Sequence, residues 1–532
     1  MTDRSAGVSR AAAAAAHATE CGSNHLHGQI LRAAAPRLRD GWTWRETALE
    51  LQTFEEAKKE RNLGFGSLAV GSGILLNTLL GGSSLLALSK AFSTAGYALG
   101  AILLLTFASF SAFACHLLQC SAIRIGCAPC SFEACSGYVL SPKLRWLVDA
   151  AVAIKCFGVS CVFFVLIGDL LPPAARYLGL DRIFHWQCSR HLAITIAFCI
   201  SGPLSCFPRL SALKYTSLLT VIIVLWTVSL VVLFFSGILD VCNDGTTTAA
   251  LGQASFIDST LLAFRGFIDK GLRAMRAGDE EHVLSWSRPC SEEGTPFEAV
   301  RSDDILAIAK QLPVFVFSCT CHQNIFTICN EVQGSSRKRI KHVIGSSFAL
   351  VVCIHILTAC MAYRMMGDDR LKGSNILKSL PDDSVLVQVT RLLFCLVSSL
   401  AYPMQLHPCR ISTLAVWHQL HSRCSDGDCS FSSSRAVHGA APVGTASWRS
   451  PSYWISTLLL LGGTYAVAMS VESLGIVLEV VGATGSTLVT FILPGMIYMQ
   501  VFPRCHAKRV AAILLFTAGC LIMPFSLAVT FL

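Results

Sequence analysis

The chain has 532 residues, of which 53% are hydrophobic and only 14% charged, with a net charge of +9 and a mean hydropathy of +0.57. Soluble domains carry roughly 25% charged residues, so this composition excludes a water-soluble globular protein and makes a bilayer the natural solvent. The positive excess is gathered on one set of loops, which makes it a topology signal and argues against a nucleic-acid surface.

Residues 1–62 hold the run Ala11 to Ala16 among Arg, His and Ser, too short and too weakly apolar for a secretory signal, and are expected to form a mostly disordered cytosolic tail. Within it, Glu46 to Phe54 reads either as a short amphipathic surface stretch or as a linker. From residue 63 the pattern changes. Stretches free of Asp, Glu, Lys and Arg run Ser67 to Ser89, Ala91 to Ile123, Tyr215 to Leu239 and Ala511 to Leu532, each longer than the roughly 18 residues that mark a spanning helix. Weaker spans lie at about 146–171, 191–208, 305–328, 343–365, 385–405, 452–474 and 476–501. The count is therefore about eleven helices, an all-α polytopic membrane protein with residues 63–532 as its transmembrane domain.

Basic residues flank the even-numbered connections: Arg124, Lys143 and Arg145; Arg209 and Lys214; Arg337, Lys338, Arg339 and Lys341; Arg410 and Arg423; Arg504, Lys508 and Arg509. Short cytoplasmic loops collect Lys and Arg, so the N-terminus is expected in the cytosol and the C-terminus opposite. The long loop 239–304 then lies outside the cytosol, and the Ser-, Gly-, Cys- and His-rich connection 419–450 is a flexible cytosolic insert.

Two spans are interrupted. The first carries Asn77 and then Gly81-Gly82-Ser83-Ser84; the sixth carries Ser318-Cys-Thr-Cys-His-Gln-Asn324, with Pro313 upstream. Hydrocarbon offers no partners to freed backbone groups, so such interruptions are tolerated only where they line a cavity or pack on protein. Glycines that let helices pack closely are the alternative explanation for the first. Read as unwound segments five spans apart, the two are the discontinuous helices of inverted repeats. In that reading the N–H groups at Gly81, Gly82, Ser83 and Ser84 receive a substrate carboxylate, and the backbone around Phe317, Ser318 and Thr320 receives its amine. His322 either carries a coupling proton or is bonded to the unwound backbone. Lys155, Glu472 and Glu479 are further ionisable groups in or beside spans, functional by default or snorkelling.

Most of the 24 cysteines fall in apolar spans, where Cys acts as a small hydrophobe. Cys127 and Cys130 form a lone C-x-x-C, and Cys424, Cys429, His418 and His421 sit in a polar segment, so no metal site is expected. No HExxH or GxSxG set is present, so no catalytic residues and no cofactor are expected.

The sixth-span stretch Leu312-Pro-Val-Phe-Val-Phe-Ser-Cys-Thr-Cys-His-Gln-Asn324 resembles the signature of the amino acid/auxin permeases, most closely their sodium-coupled neutral amino acid and fungal vacuolar branches. Leu86-Ala-Leu-Ser-Lys-Ala-Phe-Ser-Thr-Ala-Gly96, the segment from Pro203 to Ser217, Tyr402-Pro-Met-Gln-Leu-His-Pro-Cys-Arg410, Val481-Gly-Ala-Thr-Gly-Ser-Thr487 and Leu493-Pro-Gly-Met-Ile-Tyr498 extend the likeness over about 63–530. The resemblance implies a leucine-transporter-like fold with two inverted five-helix repeats and secondary active amino acid transport. It implies a cation, if one is used, between Asn77 or Thr78 and Ser398 or Ser399, and a Cys242–Cys290 disulfide in the 239–304 loop. One departure stands out: the family's Gly-(Ser/Ala)-Gly falls on Gly82-Ser83-Ser84, so Ser84 replaces its second glycine.

The sequence thus reads as a monomeric amino acid transporter coupled to Na⁺ or H⁺ in a plasma, vacuolar or endolysosomal membrane. Its partners are the amino acid and the lipid bilayer, with no nucleic acid. The competing reading is a membrane amino acid sensor with little net transport.

Overall fold

The computed structural model describes residues 83–125, 132–139, 145–180, 189–207, 216–236, 298–301, 304–326, 337–371, 373–425 and 450–532, with positions 72, 75, 76, 78, 79, 81 and 239. Asn77, Gly82, Cys242, Cys290, the tail 1–62 and most of 239–304 and 419–450 lie outside them. The spanning part belongs to one compact unit, Ser67–Leu532. Every regular element among the described residues is helical: α1 Ser83–Ala95, α2 Tyr97–Ile125, α3 Phe132–Val139, α4 Arg145–Tyr177, α5 Arg190–Ser205, α6 Thr216–Phe235, α7 Ile305–Ser318, α8 Arg337–Arg370, α9 Ile376–Ser379, α10 Val385–Ser425, α11 Pro451–Ser470, α12 Leu474–Val501 and α13 Ala507–Phe531.

Among the described residues nine helical segments are long and apolar enough to cross a bilayer, α7 counting with the turn that follows it as Ile305–Asn324. Two further expected spans have shorter described helices: α1, preceded by helical positions between Ser72 and Leu79, and the 16-residue α5. The chain is a multi-pass all-α membrane protein. Its outward faces are correspondingly apolar, with Leu218, Leu459 and Leu521 more than 60% exposed, as lipid-facing positions require and water-facing ones disfavour.

Small residues set how closely the helices approach. Gly96, at φ +89°, turns the chain between α1 and α2, and a Cβ there would lie 2.7 Å from the Ala299 carbonyl. Residues 298–301 close onto that turn, with Tyr97 N–H donating to Glu298 O and Arg301 N–H to Ala95 O. In α12, two π-helical turns, Gly482–Ser486 and Leu488–Ile492, widen the helix. There Gly482 packs on the Pro313 carbonyl of α7 and Gly485 on the Lys155 backbone of α4, at distances no side chain fits.

The long helices α4 and α10 form a scaffold pair. Phe164 stacks on Tyr402 with ring centroids 4.3 Å apart, and Gln419 donates to the Asp149 carboxylate at 2.8 Å. The continuous α10 runs through residue 425, beyond the expected span of about 385–405. Arg410, read above as a loop cation, is buried inside it, donating to Ser205 O and Thr457 Oγ1 with its guanidinium 4.0 Å over the Tyr453 ring.

Candidate substrate site

The break in α7 follows from its residues. Pro313 lacks the N–H that a helix would direct at Ala309 O. At the helix end, Ser318 Oγ donates to Phe315 O at 2.8 Å and Thr320 Oγ1 to Val316 O at 2.7 Å, while Thr320 N–H turns back to Phe317 O at 3.0 Å. These hydroxyls give Phe315 O and Val316 O the partners that water would otherwise supply, so the helix can stop inside the protein. The Cys319 carbonyl accepts the Ser111 hydroxyl of α2. The chain re-enters helical geometry through the tight turn His322–Asn324.

In the first span the interruption is built the same way. Ser84 Oγ donates to Leu79 O at 3.2 Å and Ser83 Oγ to Gly81 O at 3.2 Å. Helix α1 starts at Ser83, placing the positive end of its dipole at the break. One bond joins the two interruptions: Asn324 Nδ2 donates to Thr78 Oγ1 at 2.6 Å. Thr320 Oγ1 and Thr490 Oγ1 of α12, 3.1 Å apart, add a second anchor for the sixth-span break.

A cavity of about 320 Å³ opens where these elements meet, at the lower end of the range for small-molecule sites. Thr78, Gly81, Ser83, Ser84, Phe317, Thr320 and Ser398 all line it, so most of the described residues expected at the substrate and cation positions share one wall system. Three stand off the wall. Ser318 is buried in its own cap, and Ser399 donates to Cys395 O at 2.9 Å. His322 is fully buried with Nε2 3.1 Å from the Ser111 carbonyl, so it is bonded to α2 and not to the unwound backbone. Glu479 of α12 is held by Gln311 Nε2 at 3.4 Å, away from the lining.

The cavity also recruits Asp149 and Lys155 of α4, Gln323, Asn324 and Gln405. Of these, sequence reading singled out Lys155 alone. Asn324 and Gln323 lay inside the quoted polar patch, which was the available signal. Lys155 is 3% exposed and forms no ion pair or hydrogen bond with the described residues.

Spanning helices with two interruptions facing a shared cavity of mixed polar and apolar lining define a membrane carrier architecture. The family described as "Transmembrane amino acid transporter protein" matches residues 66–268 and 286–532, and the chain belongs to that family. It is similar to Vacuolar amino acid transporter 5 of Schizosaccharomyces pombe, 29% identical over 80% of this chain and 82% of that protein. Vacuolar amino acid transporter 6 of Saccharomyces cerevisiae is 26% identical over 86% of this chain and 97% of its own length. Among solved structures, the nucleobase-cation-symport-1 family transporter Mhp1, closed with bromovinylhydantoin bound, aligns over 87% of this chain and 89% of that one at 12% identity and a TM-score of 0.46.

Proposed function

We propose that the protein is a secondary active amino acid transporter of a vacuolar or endolysosomal membrane, working by alternating access and driven by Na⁺ or H⁺. The observation that carries this reading is the cavity on which both helix breaks converge, tied by the Asn324–Thr78 bond. A zwitterion needs an anion site and a cation site a few ångströms apart. The N-terminal end of α1 at Ser83 and Ser84 suits the carboxylate, with Lys155 on the same cavity. Backbone carbonyls of the unwound stretch around Phe317 to Thr320 suit the ammonium. Thr78 and Ser398 provide hydroxyl oxygens, the hard donors a Na⁺ ion prefers. The names of the yeast relatives support both the substrate class and the compartment.

The test is uptake by proteoliposomes containing the purified chain, offered a panel of radiolabelled amino acids under imposed Na⁺ or pH gradients. Saturable, gradient-dependent accumulation of one or a few amino acids is the expected result. Binding of an amino acid without accumulation under either gradient would overturn transport in favour of the sensor reading.

A further inference from the structure

Beside the cavity, outside the residues that line it, lies a second constellation. Cys115 of α2 and Cys321 and His322 of the α7 break bring their ligand atoms within 4.8 Å of one another. All three residues have 0% exposure. The two Sγ atoms are 3.7 Å apart, which matches the edge of about 3.8 Å that tetrahedral coordination with metal–sulfur bonds of about 2.3 Å requires. The histidine is set up in the manner of a ligand. Its Nε2 donates to the Ser111 carbonyl at 3.1 Å, which fixes the tautomer and leaves the lone pair on Nδ1. That Nδ1 is buried and has no hydrogen-bond partner among the described residues. Ser111 and Cys115 stand one helical turn apart, so a single face of α2 presents both the orienting carbonyl and the first thiol.

We propose that Cys115, Cys321 and His322 form a binding site for a thiophilic d¹⁰ cation, Zn²⁺ by charge balance, that clamps the unwound stretch to α2. Two thiolates and a neutral imidazole around Zn²⁺ carry no net charge, the condition for a metal to sit in an apolar interior without a large desolvation cost. Binding releases the two thiol protons to solvent. No spacing motif announces the site, because Cys115 and Cys321 are 206 positions apart; the sequence-based expectation of no metal rested on local spacing alone. The clamp holds Cys321 next to Thr320, a residue of the cavity wall, so the metal acts on the shape of the wall and not on substrate directly.

The purified full-length protein, stripped by chelation under reducing conditions, is titrated with Cd²⁺ while the ultraviolet thiolate-to-metal charge-transfer band is followed, and with Zn²⁺ against a chromophoric chelator. One equivalent is expected to bind each way, and Zn²⁺ is expected to raise the melting temperature. Loss of a second-shell partner costs metal sites about 10- to 100-fold, so removing a ligand by Cys115→Ala, Cys321→Ala or His322→Ala is expected to weaken binding by at least about 100-fold. Cys360→Ala, in α8, serves as a thiol control that keeps it. If the break variants do not fold, Cys115→Ala on the regular helix α2 decides. Absence of the band, a band undiminished in Cys115→Ala, or recovery of Cys115 and Cys321 as a disulfide after reducing preparation would each overturn the site.

Discussion

The bond between Asn324 Nδ2 and Thr78 Oγ1, 2.6 Å long, links the two broken helices directly, and its removal has a calculable effect. Thr78→Val keeps the shape and deletes the acceptor; Asn324→Ala deletes the donor; the double variant completes a cycle. Both residues are partly exposed to the cavity, so the coupling belongs in the middle of the range for neutral hydrogen bonds, about 1 kcal/mol. That is about a fivefold change in an equilibrium constant. On the proposed reading substrate binds the state with both breaks in register, and where that state is the minor one in the free protein a fivefold lower equilibrium constant raises the apparent half-saturation constant about fivefold. Each single variant is therefore expected to raise the half-saturation constant for uptake about fivefold or more, and the double variant to fall short of the product by about fivefold. Uptake kinetics in proteoliposomes supply the numbers, with melting temperatures as a check on folding. Residues out of contact add to within about 0.3–0.5 kcal/mol. Effects that multiply cleanly to that tolerance would refute the claim that this bond sets the register of the breaks.

Gly482→Ala places a Cβ 2.1 Å from the Pro313 carbonyl, so α7 must retreat by over an ångström just ahead of its break; a destabilisation of about 1–3 kcal/mol and near-complete loss of uptake are expected, and wild-type kinetics would contradict the packing. Lys155→Met removes a buried cation that has no partner among the described residues, so the melting temperature is expected to hold or rise. Affinity for substrate should meanwhile fall roughly 10- to 100-fold, the worth of a hydrogen bond to a charged group; a lowered melting temperature with unchanged affinity would assign Lys155 a structural role. Arg391→Met strips the donors from the Leu377 and Leu380 carbonyls and is expected to cost at least about 2 kcal/mol, read as a lower melting temperature restored by neither Na⁺ nor substrate.

Apolar run length made the spans legible, because the bilayer imposes it. The breaks were legible as well, since a polar patch in the middle of an apolar run has few physical explanations. Seven of the residues singled out at those breaks and on α10 line the cavity together. What sequence could not show was pairing across distance. Asn324 meets Thr78 from 246 positions away, and Cys115 meets Cys321 from 206; neither pair leaves a local trace. The extent of α10 was hidden for another reason. Arg410 near the end of an apolar run resembles a loop cation, and only the fold reveals that the Ser205 carbonyl, Thr457 and the Tyr453 ring wait for it inside the bundle. The widened turns of α12 were equally silent, because a π-helical turn has no residue pattern as firm as a cap or a proline kink.

The cations held within the helical bundle divide into two kinds, and the division bears on function. Arg391 donates to Leu377 O and Leu380 O at the end of α9 and pairs with Asp382 at 2.5 Å. Arg410 donates to Ser205 O at the end of α5. Arg190 donates to Ala468 O and Val471 O at the end of α11, at 3.2 and 2.7 Å, and lies 3.6 Å from the buried Asp169, which Lys378 also approaches to 3.6 Å. Each guanidinium thus plugs the carbonyl end of a terminating helix, where freed acceptors and the negative end of the dipole coincide. Their charge is consumed by architecture, and the planar fork suits the task because it serves two or more acceptors at once. Lys155 follows none of this. It sits within α4 beside the α7 break, against the glycine of a widened turn and on the wall of the cavity, with no hydrogen bond to a helix-end carbonyl among the described residues. Burying an ammonium without a protein partner costs several kcal/mol, and the fold gains no cap in return. Such a cost persists where the missing partner arrives from outside, and on the proposed reading the group that enters this cavity carrying a negative charge is the substrate carboxylate.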